Sequence, residues 1–184
     1  MNSNGTKLYN CKISMSIDMD YPVIICQGNY YGSSLIEKCS FNVKFNGNKN
    51  LSHTYNIGLI DQGTYKNCMF MITGESIYQR LISGNSSYRT SFYNCGILII
   101  NASLSGDNIT FIYYTSFYNS YIAIDNCTNF RQGQIEYNGV SFNNFLFCVN
   151  NYNYIDGTTS TPVDVSYFNN YLISKTDMQD FEKL

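Results

Sequence analysis

A chain of 184 residues with a net charge of −2 and 13% charged side chains has the length of one domain. Its Lys and Arg residues form no basic patch in the sequence, which excludes nucleic acid as a partner. No apolar run approaches the roughly 18 residues that a membrane helix needs, so no membrane span is expected.

The first residues, Met1 to Lys7, lack an apolar stretch, so no secretory signal is read there. The chain then enters a repeat. Its clearest copies read Ser91, Phe92, Tyr93, Asn94; then Ser116, Phe117, Tyr118, Asn119; then Ser141, Phe142, Asn143, Asn144; then Ser166, Tyr167, Phe168, Asn169. The spacing from copy to copy is constant. Toward the N-terminus the same column is marked by Cys11, Cys39, Cys68 and Cys95, at slightly longer steps, so the early repeats carry small insertions. The column before these cysteines, continued along the chain, is Asn10, Lys38, Asn67, Asn94, Asn119, Asn144 and Asn169. A period of roughly 25 residues, kept in register, means a stacked repeat fold.

Two residues before the Asn column come Leu8, Ile36, Tyr65, Phe92, Phe117, Phe142 and Tyr167. Three residues after it come Ile13, Phe41, Phe70, Ile97, Ile122, Phe147 and Leu172, and five after it Met15, Val43, Ile72, Ile99, Ile124 and Val149. Apolar columns two residues apart describe a strand with one buried face. A second strand per repeat is read at residues 23–25, 57–60, 80–82, 109–112 and 135–137, between Gly-, Asn- and Ser-rich turns. Asn tolerates the left-handed backbone, so its column predicts a bend between strands, with side-chain amides bonding from copy to copy. The expected fold is all-β: a single-stranded, right-handed parallel β-helix of about seven coils. It occupies residues 1–175, and residues 176–184 form a short C-terminal helix or tail in which Thr176 and Gln179 read as a capping box. The hand follows from the absence of the six-residue beat of left-handed coils.

This pattern resembles the right-handed β-helix superfamily that includes pectate lyases, polygalacturonases, surface adhesins and phage tailspikes. The resemblance covers about residues 8–174 and is architectural. It implies a fold shared by enzymes, adhesins and virion parts, and fold alone does not settle function.

Catalysis on such a fold would need carboxylates facing each other across a bond. The regular columns offer no Asp or Glu pair one repeat apart, and only loops would bring Asp61 and Glu75 together. Arg131 and Asp156 lie one repeat apart and read as a surface ion pair. Asp18, Met19 and Asp20 read as a solvated turn rather than a calcium site. His53 stands alone in an insertion, so no catalytic triad can form around it. The cysteines, inward and beside apolar columns, read as buried thiols, since one straight column cannot surround a zinc ion. No catalytic residue, metal site or cofactor is expected. Six sequons, at Asn4, Asn50, Asn85, Asn101, Asn108 and Asn126, read as accidents of an Asn-rich chain.

Tyr113, Tyr114, Tyr152 and Tyr154 are the candidate ligand residues, because aromatic faces stack on sugar rings while Asn and Ser serve hydroxyls. The leading functional reading is a non-catalytic structural or recognition module of a virion or cell-surface protein, assembled in the cytoplasm, that binds a polysaccharide or cell-surface glycan. It would act alone, as a homotrimer or in a larger assembly. A second reading is a polysaccharide lyase or glycoside hydrolase with its site in loops or between subunits. A third is an assembly module that stacks on a partner through an open N-terminal coil.

Overall fold

The computed structural model describes residues 7–18, 26–27, 35–46, 55–77, 79–84, 87–104, 112–130, 137–150 and 153–154. They form a parallel β-solenoid, and no helix occurs among them. In chain order the strands are β1 (Lys7–Tyr9), β2 (Lys12–Ile17), β3 (Cys26–Gln27), β4 (Leu35–Glu37), β5 (Ser40–Phe45), β6 (Tyr55–Asp61), β7 (Gly63–Lys66), β8 (Met69–Ile77) and β9 (Gln79–Ser83). They continue as β10 (Thr90–Tyr93), β11 (Gly96–Leu104), β12 (Ile112–Tyr113), β13 (Thr115–Asp125), β14 (Thr128–Phe130), β15 (Tyr137–Asn138), β16 (Ser141–Asn150) and β17 (Asn153–Tyr154).

Each circuit runs through a short bend strand, a longer strand and a return strand. Bend strands β1, β4, β7 and β10 stack in that order onto β13, and β2, β5, β8 and β11 stack onto the same β13, so both walls join in one sheet of 12 strands. Return strands β3, β6, β9, β12 and β15 make a second sheet of 5. Every pairing is parallel, and the one-repeat offset appears directly as Phe92↔Phe117 and Phe117↔Phe142.

Circuits whose bend, long and return walls all have described side chains amount to about three turns, rather than the seven expected. They are the ones that close through Leu59 and Ile60, through Leu81 and Ile82, and through Ile112. The expectation counted copies of the Asn column, and a column marks only one corner. Bend and long strands extend the ladders beyond these circuits at both ends, from β1 to β16. The seventh copy, at Asn169, and the C-terminal helix at 176–184 lie outside the described residues, as does the second strand read at 23–25.

Two return strands end one residue later than read from sequence: β12 runs to Tyr113 where 109–112 was expected, and β15 to Asn138 where 135–137 was expected. Level-to-level register decides this, through Ile112↔Tyr137 and Ile112↔Ile82.

The core is a set of ladders. Tyr65, Phe92, Phe117 and Phe142 stack face to face, at ring separations of 5.0, 5.2 and 5.7 Å. Phe41 lies on Phe70 at 4.7 Å, and Ile72, Ile99 and Ile124 form an aliphatic column with no exposed surface. Fully burying each such side chain contributes about 1.5–3 kcal/mol, and each offset aromatic pair about 0.5–1.5 kcal/mol more.

The corners share one chemistry. At the first bend Asn10, Lys38, Asn67, Asn94, Asn119 and Asn144 all adopt positive φ, between 47° and 55°. The next residue donates its side chain to the carbonyl two positions back: Cys39 to Glu37, Cys68 to Lys66 and Cys95 to Tyr93, each at 3.2 Å, and Ser120 to Tyr118 at 2.8 Å. A second corner repeats the device with Asn126 at φ 51° and Cys127 donating to Asp125. A third uses Tyr114 at φ 44° and Thr115 donating to Tyr113 at 3.0 Å. The corner dipeptide is therefore a left-handed residue followed by a short donor, and its donor occupies a carbonyl lone pair that the turn leaves facing the interior.

The cysteines at these corners are thiols. Burial pushes Cys39 and Cys95 above the ordinary thiol range and Cys127 up to about 11. A hydrogen bond with the Cys95 side chain lowers Cys68 to about 7, yet Cys68 is buried, so access rather than ionisation protects it. Only the thiolate is nucleophilic. At pH 8, iodoacetamide should therefore label half-buried Cys11 first and leave Cys39, Cys68, Cys95 and Cys127 unmodified until denaturant is added. Peptide mapping by mass spectrometry reads this site by site, and early labelling of Cys95 would contradict the packing.

Candidate binding groove along the asparagine bend

The first corner and the start of each long strand border a depression on the surface. This open groove has a volume of about 700 Å³. Its floor is the exposed Asn column, where Asn94 donates to Asn67 at 3.2 Å and Asn144 donates to Asn119 at 2.9 Å. Backbone bonds hold the same corner from level to level: Asn67 N–H to Tyr93 O and Asn94 N–H to Tyr118 O, both at 2.9 Å. The amide ladder expected from sequence is thus present, at Asn67, Asn94, Asn119 and Asn144. Asn10 takes the bend conformation and bonds through its backbone to Glu37.

Beside the groove, on the outward face of the bend strands, stands the residue before each Asn. Register aligns Tyr9, Glu37, Lys66, Tyr93, Tyr118 and Asn143 in that order. Tyr93 and Tyr118 are half-buried and stack with ring centroids 4.6 Å apart and planes within 4°. The groove itself is lined on the long strands by Lys12, Ser40, Met69, Gly96 and Tyr121, again in register, and Leu146 continues their column. Gly96 leaves its level bare, and the Tyr121 ring lies over it: a Cβ there would meet the ring at 2.4 Å. The Tyr121 hydroxyl reaches on to the Met69 sulfur at 3.5 Å.

Stacking also gathers cations that sequence separates. Lys12, Lys38 and Lys66 stand on three successive levels and are exposed; Lys12 and Lys38 line the groove, and Lys66 stands on the bend-strand face beside it. Levels repeat at about 4.8 Å. Lys38 Nζ donates to the Tyr9 hydroxyl at 2.9 Å and lies over the Tyr9 ring at 5.2 Å; that hydrogen bond holds its pKa above the usual lysine value. Lys66 lies over the Tyr93 ring at 5.7 Å. A whole circuit of chain separates each of these lysines from the next.

Of the tyrosines singled out from sequence, two have described side chains. Tyr113 and Tyr114 are half-buried at the third corner, with their rings at 90° and 4.6 Å apart, and the Tyr114 ring covers Gly139. Tyr154 is in β17, whose backbone pairs with β14 through Phe130. Tyr152, Arg131 and Asp156 lie outside the described residues. Asp61 ends β6 in the return sheet, buried, and accepts from Ser83 Oγ at 2.6 Å. Glu75 belongs to β8 in the other sheet, so the strands carrying the two carboxylates form different walls.

Two features escaped the sequence reading. Asn101 and Asn126, one repeat apart, form a second amide pair at the second corner, with Asn126 donating to Asn101 at 2.5 Å. Their common spacing was visible, hidden among the sequons. The Tyr93–Tyr118 stack was present within the repeat phrase itself.

Among the described residues no three His, Cys, Asp or Glu side chains gather closely enough to hold a metal ion. No helix among them is long and apolar enough to cross a membrane. No family model, curated protein or solved structure matches this chain.

Proposed function

We propose that the protein is a non-catalytic recognition module, a right-handed β-helix of a virion or cell-surface protein, that holds a glycan chain in the groove along its asparagine bend. The observation that carries this is the stacked Tyr93–Tyr118 pair standing beside the row of side-chain amides that lines the groove. Aromatic faces suit the apolar faces of sugar rings, and exposed amides supply both donors and acceptors for hydroxyls. The residues lining the groove include no Asp or Glu, which suits holding a chain rather than cleaving it by paired carboxylates. The right hand is the one that nearly all parallel crossovers adopt.

The test is a glycan array probed with the labelled protein and with a Tyr93→Ala/Tyr118→Ala double variant. Both rings are half-buried, so the variant should keep the parent's circular dichroism. Binding to the glycans captured by the parent should fall at least about tenfold, equivalent to about 1.4 kcal/mol. Undiminished capture by the variant would place the site elsewhere.

A further inference from the structure

The groove differs from end to end. Toward the N-terminus it is lined by Lys12 and Lys38, and the bend-strand face beside it carries Lys66 and one acid, Glu37. The next two levels carry Tyr121 in the groove and Tyr93 and Tyr118 beside it, with no Asp, Glu, Lys or Arg in these columns. The ammonium of Lys66 over the Tyr93 ring marks where one half meets the other. Lys38 is fixed by its bond to Tyr9 rather than left to sweep through solvent, so its charge is presented at one level. A neutral chain would gain from the tyrosine half and leave three ammonium groups facing the single acid Glu37.

Resting on the glycan reading above, we infer that the groove takes a glycan of mixed character: neutral sugar rings on the Tyr93–Tyr118 half and an anionic substituent, carboxylate or sulfate, on the Lys12–Lys38–Lys66 half. Because the two halves are sequential along the rod axis, this fixes the direction in which the chain lies. An ammonium is a point charge without the planar fork of Arg, so it accepts either anion. Exposed lysines act through screened attraction, so the preference is salt-dependent.

The experiment uses matched pairs on one array: neutral oligosaccharides, the same chains bearing a sialic or glucuronic acid, and the same chains bearing a sulfate ester. The parent should favour the acidic members by at least about fivefold at low salt, and the preference should shrink at about 0.5 M NaCl, where the Debye length is only a few ångströms. A Lys38→Gln/Lys66→Gln variant should lose the preference and bind neutral and acidic members of each pair alike. Comparing the carboxylate and sulfate arms identifies which anion the groove holds. Equal binding of neutral and acidic members by the parent would overturn the inference and leave glycan recognition standing. Capture of no member of any pair would remove both.

Discussion

Replacing Phe92 with Ala should destabilise the protein by about 3–5 kcal/mol, the range for emptying a large aromatic site in a packed core. Phe92 has no exposed surface and sits in the middle of the longest ring stack. It lies 5.0 Å from Tyr65 on one side and 5.2 Å from Phe117 on the other, with the edge of Phe70 at 6.1 Å. The backbone on both sides is held by parallel pairing, Phe92↔Tyr65 and Phe92↔Phe117, so the levels cannot close over the void. Loss of the ring also removes two stacking partners at once. In a solenoid each level touches only its neighbours, and stability is a sum of level and interface terms. A weakened central interface should therefore also separate the unfolding of the two ends, seen as a broadened urea transition with a lower apparent slope. Urea denaturation followed by circular dichroism and by tyrosine fluorescence measures both effects. A loss below about 1 kcal/mol would mean that the stack is not the core of the rod.

The inner ladders are the part of this structure most legible in sequence. Phe92, Phe117 and Phe142 recur in one phrase at one spacing, and Ile97 and Ile99 beside Ile122 and Ile124 give the period-two alternation of a strand. The first corner was legible for a second reason: Asn at Asn67, Asn94, Asn119 and Asn144 is both a conformational choice and a hydrogen-bonding one, so a single residue type fills the column. Outward columns obey no such demand. The column holding Tyr9, Glu37, Lys66, Tyr93, Tyr118 and Asn143 faces outward and is not constrained by core packing, and its chemistry changes from level to level. Searching for like residues thus finds the core and passes over a groove made of unlike ones. Tyr113 and Tyr114 are adjacent in sequence and meet edge-on at the third corner, whereas in-register spacing, as between Tyr93 and Tyr118, is what stacks two rings face to face from level to level. The number of turns was harder still, because one recurring corner does not show whether its circuit closes through a return strand.

Gly74→Ala should cost more than about 3 kcal/mol, although it adds one methyl group; Gly74 has φ +114°, a region that side chains carrying a Cβ rarely enter, and such backbone strain alone is worth about 1–3 kcal/mol. The new Cβ would stand 2.0 Å from the carbonyl oxygen of Phe45, 2.7 Å from its nitrogen and 2.8 Å from its carbonyl carbon. All three are backbone atoms of the neighbouring level, where Phe45 pairs with Gly74 at the end of the β5–β8 ladder, so no rotamer change can relieve the contact. Either β5 and β8 part at this point or Gly74 leaves its conformation. The second choice is blocked on the far side, where the β8–β11 register already shifts at Ala102↔Gly74 to reach the second corner at Asn101. Thr73→Ala is the control: Thr73 is half-buried and its hydroxyl makes only a 3.5 Å contact with Val43 O, so its removal should cost less than about 1 kcal/mol. If the two variants have the same urea midpoint, the close approach of β5 to Gly74 does not exist in solution. If Gly74→Ala alone loses stability, the corner is set by backbone contact between levels, and the glycine is there because the adjacent carbonyl occupies the place of a side chain.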